Sequence, residues 1–133
     1  MNPYCAQSGI ALMPWSPLAR GILAGAYQGG FDGGSTNRSK GQDRARTEGL
    51  YHGEHVFQVA ERVIEVASKY GKKPAQIALA WLLNKPEIVS PVVGVSRPEQ
   101  LDELTGAATI VLEESDVAYL EELYSPVHNL LSL

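Results

Sequence analysis

The stretch from Ile88 to Leu104, IVSPVVGVSRPEQLDEL, constrains the fold more than any other part of the chain. Ile88, Val89, Val92, Val93 and Val95 make a short, β-branched run, the composition of a buried strand in a parallel sheet. Gly94, Ser96 and Arg97 follow, and Pro98 stands where a helix has its first residue, because the N–H it lacks is one that a helix start leaves unpaired. Glu99 to Leu104 then carries good helix formers, with Leu101 and Leu104 on one side. A strand that breaks here and restarts as a helix sets unpaired backbone N–H groups beside a guanidinium, an arrangement shaped for phosphate. An ordinary strand-to-helix turn with a solvated arginine has the same local pattern, so the anion reading needs support from elsewhere.

A chain of 133 residues is sized for one domain and can bury roughly two-thirds of its unfolded surface. A net charge of −4, with no basic stripe, gives no footprint for nucleic acid. Cys5 is the only cysteine, which excludes a disulfide framework and cysteine-based metal spacing. No apolar run approaches the ~20 residues of a membrane span, and the first residues lack a signal pattern, so no membrane partner and a cytoplasmic location are expected.

Gly9 suits the left-handed residue that ends a helix, although Asn2 to Ser8 is too short to read alone. Ile10 to Met13 is a short apolar run broken by Pro14-Trp15-Ser16-Pro17, which reads as a buried strand running into a turn. Residues 26–53 are glycine-rich with almost no apolar periodicity, and such a long loop is either a mobile surface excursion or a lid over a ligand. Glu54 to Tyr70 is the clearest helix, with Val56, Ala60, Val63, Ala67 and Tyr70 on one stripe, widened by Phe57 and Ile64. Glu65 and Lys69 are spaced for an i,i+4 pair on its other face, and Gly71 ends it. Pro74 opens a second helix, apolar on most sides through Leu83, with Trp81 in the core. Ala107 to Leu112 reads as a hydrophobic, extended connection. Glu113, Glu114 and Asp116 then favour a helix N-terminus, with Val117, Leu120 and Leu123/Tyr124 as the apolar face. The tail to Leu133 is expected to be loosely attached, and His52, His55 and His128 to lie on the surface. The order is β–loop–α–α–β–α–α, an α/β chain without repeats.

Two blocks together carry a resemblance that neither carries alone. Gly9 to Gly25, GIALMPWSPLARGILAG, resembles the seventh strand and following turn of the aldo-keto reductases. Gly71 to Leu104, GKKPAQIALAWLLNKPEIVSPVVGVSRPEQLDEL, resembles their seventh helix pair, eighth strand and cofactor-phosphate loop. The similarity is to the branch holding aryl-alcohol dehydrogenases and potassium-channel β subunits. It implies a (β/α)8 barrel, which takes about 250 residues. Residues 1–133 would then be the C-terminal part of that barrel, its last two strands with their helices, and Met1 an internal methionine of a longer parent.

The resemblance also implies the cofactor NADP(H) and a small carbonyl substrate for the complete enzyme. Trp15 matches the aromatic that stacks on the nicotinamide. Ser16 and Leu18 match positions that meet the pyrophosphate, and Arg20 and Gly21 continue that turn. Ser96 and Arg97 match the pair holding the adenosine 2′-phosphate, and Gln100 and Glu103 match positions near the adenosine. The next residue is commonly asparagine in the family; here it is Leu104, which removes one adenine hydrogen bond. Taken singly, Trp15 reads as a core or rim aromatic, Ser16 as a turn residue, and Gln100 and Glu103 as a solvated helix face. Glu99, Asp102 and Glu103 have no histidine or cysteine at ligand spacing, so no metal is expected.

Family members pass hydride to a carbonyl while a tyrosine, helped by lysine, aspartate and histidine, donates the proton. None of the six tyrosines here matches that donor, so no catalytic residue is assigned and the isolated chain is expected to be inactive. The alternative is a non-catalytic interaction module like the channel β subunits. An incomplete barrel exposes sheet edges and apolar faces, which favours self-association.

Overall fold

The computed structural model describes residues 2–53 and 55–125, apart from the side chains of residues 37 and 38. The expectations for the tail and for His128 lie outside the described residues. The two apolar runs lie side by side and parallel, with Leu12 bridged to Ile88 and Trp15 to Val92. The Leu12 N–H donates to Glu87 O at 2.8 Å, and the Leu12 carbonyl accepts from the Val89 N–H at 3.0 Å. One step further, the Val92 N–H donates to Pro14 O at 2.8 Å. Pairing goes no further than isolated bridges, because Pro14, Pro17 and Pro91 supply no N–H to a ladder.

The expectation that these runs are buried strands is corrected. Leu12, Pro14, Ile88 and Val93 are half-buried, but Met13, Val89 and Val92 are exposed, Val89 by 61%. β-Branched composition expresses a preference for pleated backbone, whereas burial on both faces needs a layer on each side. No described element covers the second side.

Helices cover the first side. α1 (Asn2–Gln7) buries Cys5 and runs through Gly9, whose φ of 65° is left-handed as expected, into the first bridged segment. α2 (Asn37–Lys40) and α3 (Asp43–Leu50) follow, then α4 (Val56–Tyr70) and α5 (Pro74–Leu83). α4 starts two residues later than its periodicity suggested and ends at Gly71. Val63, Val66 and Ala67 of α4 meet Ile77, Ala78 and Ala80 of α5 in the main core. A second cluster joins Ala75 and Leu79 to Leu104 and Ala107, with Val93 packed against it.

Residues 26–53 are not a featureless loop. Tyr27 bridges Gly34 in antiparallel fashion, residues 31–33 form a 3-10 turn, and α2 and α3 occupy much of the remainder. A Cβ on Gly33 would lie 1.8 Å from the Gln28 carbonyl oxygen, so the turn closes only around glycine there. Thr36 and Ser39 cap one another: the Ser39 N–H donates to Thr36 Oγ1 at 3.1 Å and the Thr36 N–H to Ser39 Oγ at 2.9 Å. Short helices held by polar caps leave no apolar period, which is why the sequence read as a loop.

α6 (Pro98–Thr105) follows the second bridged segment, with Leu104 buried but Leu101 exposed, against the expected shared face. The connection to α7 (Glu114–Glu121) opens with a 3-10 turn at 106–109, then extends, with Ile110 and Leu112 inward and Val111 outward. Leu120 is buried on α7, while Tyr124 lies exposed beyond its end. Trp81 is half-buried rather than core: its indole N–H donates to Glu121 Oε1 at 2.8 Å and the Lys85 ammonium sits 4.7 Å from its ring centre.

The expected Glu65–Lys69 pair gives way to contacts between helices. Lys69 Nζ reaches Glu113 at 2.8 Å and Asp116 at 2.9 Å, while Glu65 accepts from the Tyr119 hydroxyl at 2.5 Å. Tyr70 completes this latch, donating to Asp116 Oδ2 at 2.6 Å and accepting from the Glu113 N–H at 2.9 Å. The Tyr70 hydrogen bond, then that of Lys69, holds the Asp116 carboxyl below the usual carboxylate range. Hydrogen bonds to Glu113 and Asp116 push the Lys69 ammonium upward.

Candidate functional site

Because the bridged segments are parallel, their carboxyl ends leave the sheet on the same side, where parallel α/β folds bind ligands. The first emerges as the turn 15–21 and the second as the break 94–97.

The turn holds every non-glycine residue with positive φ among the described residues: Ser16 (54°), Ala19 (47°) and Arg20 (56°). Left-handed backbone at such residues costs on the order of 1–2 kcal/mol each, so their concentration in one turn marks stored strain. Gly21, at φ 103°, takes a conformation no side chain would tolerate cheaply. Leu18 anchors the turn by packing against both the main core and the Ala75–Leu104 cluster. The N–H groups of Ser16 and Leu18, and the Ser16 hydroxyl, have no partner among the described residues. Trp15 is 74% exposed at the mouth of the turn, bridged to Val92.

At the break, Ser96 and Arg97 are exposed, and Arg97 has extended backbone (φ −143°, ψ 144°) just before Pro98. Gln100 Oε1 accepts from the Ser96 N–H at 2.9 Å, the Ser96 hydroxyl at 3.1 Å and the Arg97 N–H at 3.2 Å. The same device starts α5, where Gln76 Oε1 accepts from the Lys73 N–H at 3.1 Å ahead of Pro74. A basic-Pro-x-Gln helix start is therefore a structural cap in this chain, and the α6 copy differs by lying at the carboxyl end of a bridged segment.

Two expected site side chains point to other work. The Glu103 carboxylate pairs through Oε2 with Lys73, and its carbonyl accepts from Gln76 Nε2 at 2.9 Å, tying α6 to α5. Arg20 turns away to α3, with Nε on Thr47 Oγ1 at 3.1 Å and Nη2 on Asp43 at 2.6 Å. Sequence reading missed Thr47, Asp43 and Lys73, since polar residues without periodicity give no signal of their partners. Among the described residues no group of histidine, cysteine or carboxylate side chains is arranged for a metal, and no helix is long and apolar enough to cross a membrane.

A strained turn and a backbone break lie at the same end of two parallel bridged segments, the end at which parallel α/β domains generally bind ligands. The chain belongs to the aldo/keto reductase family, which it matches over residues 1–125. It is 40% identical over 127 residues to a Schizosaccharomyces pombe protein that bears an aryl-alcohol dehydrogenase name, covering 96% of this chain and 37% of that one. The versiconal hemiacetal acetate reductase of Aspergillus parasiticus is 36% identical over 133 residues, 95% of this chain and 36% of its own length. A Glycine max protein bearing an aldo-keto reductase name is 36% identical over 126 residues, 94% of this chain and 34% of its own. The chain spans about a third of the length of these relatives.

Proposed function

We propose that this chain is the NADP(H)-binding, C-terminal part of a (β/α)8-barrel carbonyl reductase, contributing its last two strands. The observation that carries this reading is the parallel register, which sets the strained turn and the Ser-Arg break at one end of the sheet. When bound, the cofactor supplies hydride to an aldehyde or ketone. Trp15 offers an open ring face to the nicotinamide. Ser16 and Leu18 direct free donors to the pyrophosphate, and the backbone of Arg20 and Gly21 completes that turn. The exposed Arg97 guanidinium and Ser96 hold the 2′-phosphate. Gln100 occupies the Ser96 and Arg97 N–H groups, so phosphate reaches those donors by displacing its amide oxygen. Glu103 retains Oε1 for the adenosine, since Lys73 takes Oε2.

The proton donor for reduction is not assigned to any tyrosine here, so the reading is of binding without turnover. Calorimetric titration with NADPH and NADH tests it: preferential binding of NADPH is expected, and no heat with either cofactor would overturn it. The open face of Met13, Trp15, Val89 and Val92 favours a second reading, a non-catalytic interaction module in which neither cofactor binds.

A further inference from the structure

We propose that Arg20 is a positioning residue whose side chain braces the strained turn against α3, so that the shape of the turn and the order of residues 43–50 are one equilibrium. The cofactor consequence rests on the reading of residues 16–21 as the pyrophosphate turn; the coupling itself does not.

The guanidinium grips one face of one helix. Asp43 and Thr47 are four residues apart, hence stacked one turn above the other, and Arg20 spans them with Nη2 and Nε. Thr47 is fully buried, and its hydroxyl hydrogen is committed to the Asp43 carbonyl at 2.9 Å. Its oxygen is therefore left to act as acceptor, and the Arg20 Nε–H fills that role. The Arg20 side chain is 15% exposed and Thr47 fully buried, so that their contact is withdrawn from water, whereas Asp43 is 43% exposed. Asp43 lies in the first turn of α3, where a carboxylate also suits the helix dipole. At the other end of the same residue, Arg20 holds φ 56° between Ala19 at 47° and Gly21 at 103°. If α3 lets go, Arg20 has no described side-chain partner left to keep its backbone left-handed; if the turn relaxes, the guanidinium leaves Thr47 and Asp43. A lysine preserves the charge but not the two-nitrogen span.

The test is amide hydrogen exchange on the whole chain without cofactor, for the wild type, Arg20→Lys, Thr47→Val and Thr47→Ser. Arg20→Lys and Thr47→Val should each speed exchange at least tenfold both in 43–50 and in 18–25, with residues 74–83 of α5 unchanged. Thr47→Ser, which keeps the acceptor, should restore wild-type rates. Faster exchange confined to 43–50, or wild-type behaviour of Arg20→Lys, would overturn the brace. A second readout separates positioning from phosphate contact. Thr47→Val should weaken NADPH binding about fivefold or more without changing its salt dependence, and Thr47→Ser should not. If the wild type binds no NADPH, the cofactor reading fails while the exchange data still decide the coupling.

Discussion

Arg97 and Arg20 are both arginines in expected cofactor positions, yet their surroundings assign them different work. Arg97 is exposed at a bridged segment's carboxyl end, whereas Arg20 is committed to Thr47 and Asp43. Arg97→Ala is therefore predicted to weaken NADPH by about 1–3 kcal/mol and NADH much less, since only NADPH carries the 2′-phosphate. Equal losses, measured by calorimetry, would remove Arg97 from that role. Ala19 tests the strain beside it. With φ at 47°, Ala19→Gly relieves left-handed crowding at some entropic expense in the unfolded chain, and is predicted to stabilise by about 0.5–1 kcal/mol in urea unfolding. A destabilised Ala19→Gly would show that the turn is not strained.

At the scale of elements, the latch between α4 and α7 decides how α7 is held. Tyr70→Phe removes a donor to Asp116 and an acceptor for the Glu113 N–H, and is predicted to cost about 1–3 kcal/mol in urea unfolding. The pH dependence follows from Asp116, whose carboxyl sits below its ordinary value of 3.8. A depressed carboxylate contributes stability that is complete above about pH 4 and lost as pH falls through the lowered folded value. Unfolding midpoints measured from pH 7 to pH 2 should therefore drop at the acid end, less steeply in Tyr70→Phe. Lys69, raised, contributes below the ordinary lysine value and loses that contribution only in strong alkali. Much of this level was legible in the sequence. The α4 and α5 helices, the Pro98 start of α6 and the acidic start of α7 all follow from periodicity and capping. The latch was not legible, because Lys69 had an apparent partner one turn away in Glu65 and its actual partners lie 44 and 47 residues on. Residues 26–53 were misread for the related reason that Thr36, Ser39 and Thr47 form their structure through hydroxyls, which carry no hydrophobic period. In the candidate site, side-chain commitments were not legible: nothing near Arg20 or Glu103 in sequence announces Thr47 or Lys73.

Among the described residues, the whole molecule is one-sided. Val93 of the second paired segment packs against Ala75, Leu79 and Leu104 on one side, while Met13, Trp15, Val89 and Val92 stay open. Contiguous apolar surface beside unpaired strand edges drives association, so the chain is predicted to form dimers or larger species in light scattering, and Val89→Lys with Val92→Lys to shift it toward monomer. A monodisperse wild-type monomer would contradict that prediction. The cofactor is placed at the carboxyl end of the paired segments, where the exposed Trp15 ring reports directly on the nicotinamide. The deciding measurement is tryptophan fluorescence of the chain titrated with NADPH and with NADH, in the wild type and in Trp15→Phe, where Trp81 remains as an internal reference. Saturable quenching is expected at lower NADPH than NADH, most of it gone in Trp15→Phe; no saturable quenching, equal response to both cofactors, or undiminished quenching in Trp15→Phe would rule out a cofactor site at Trp15.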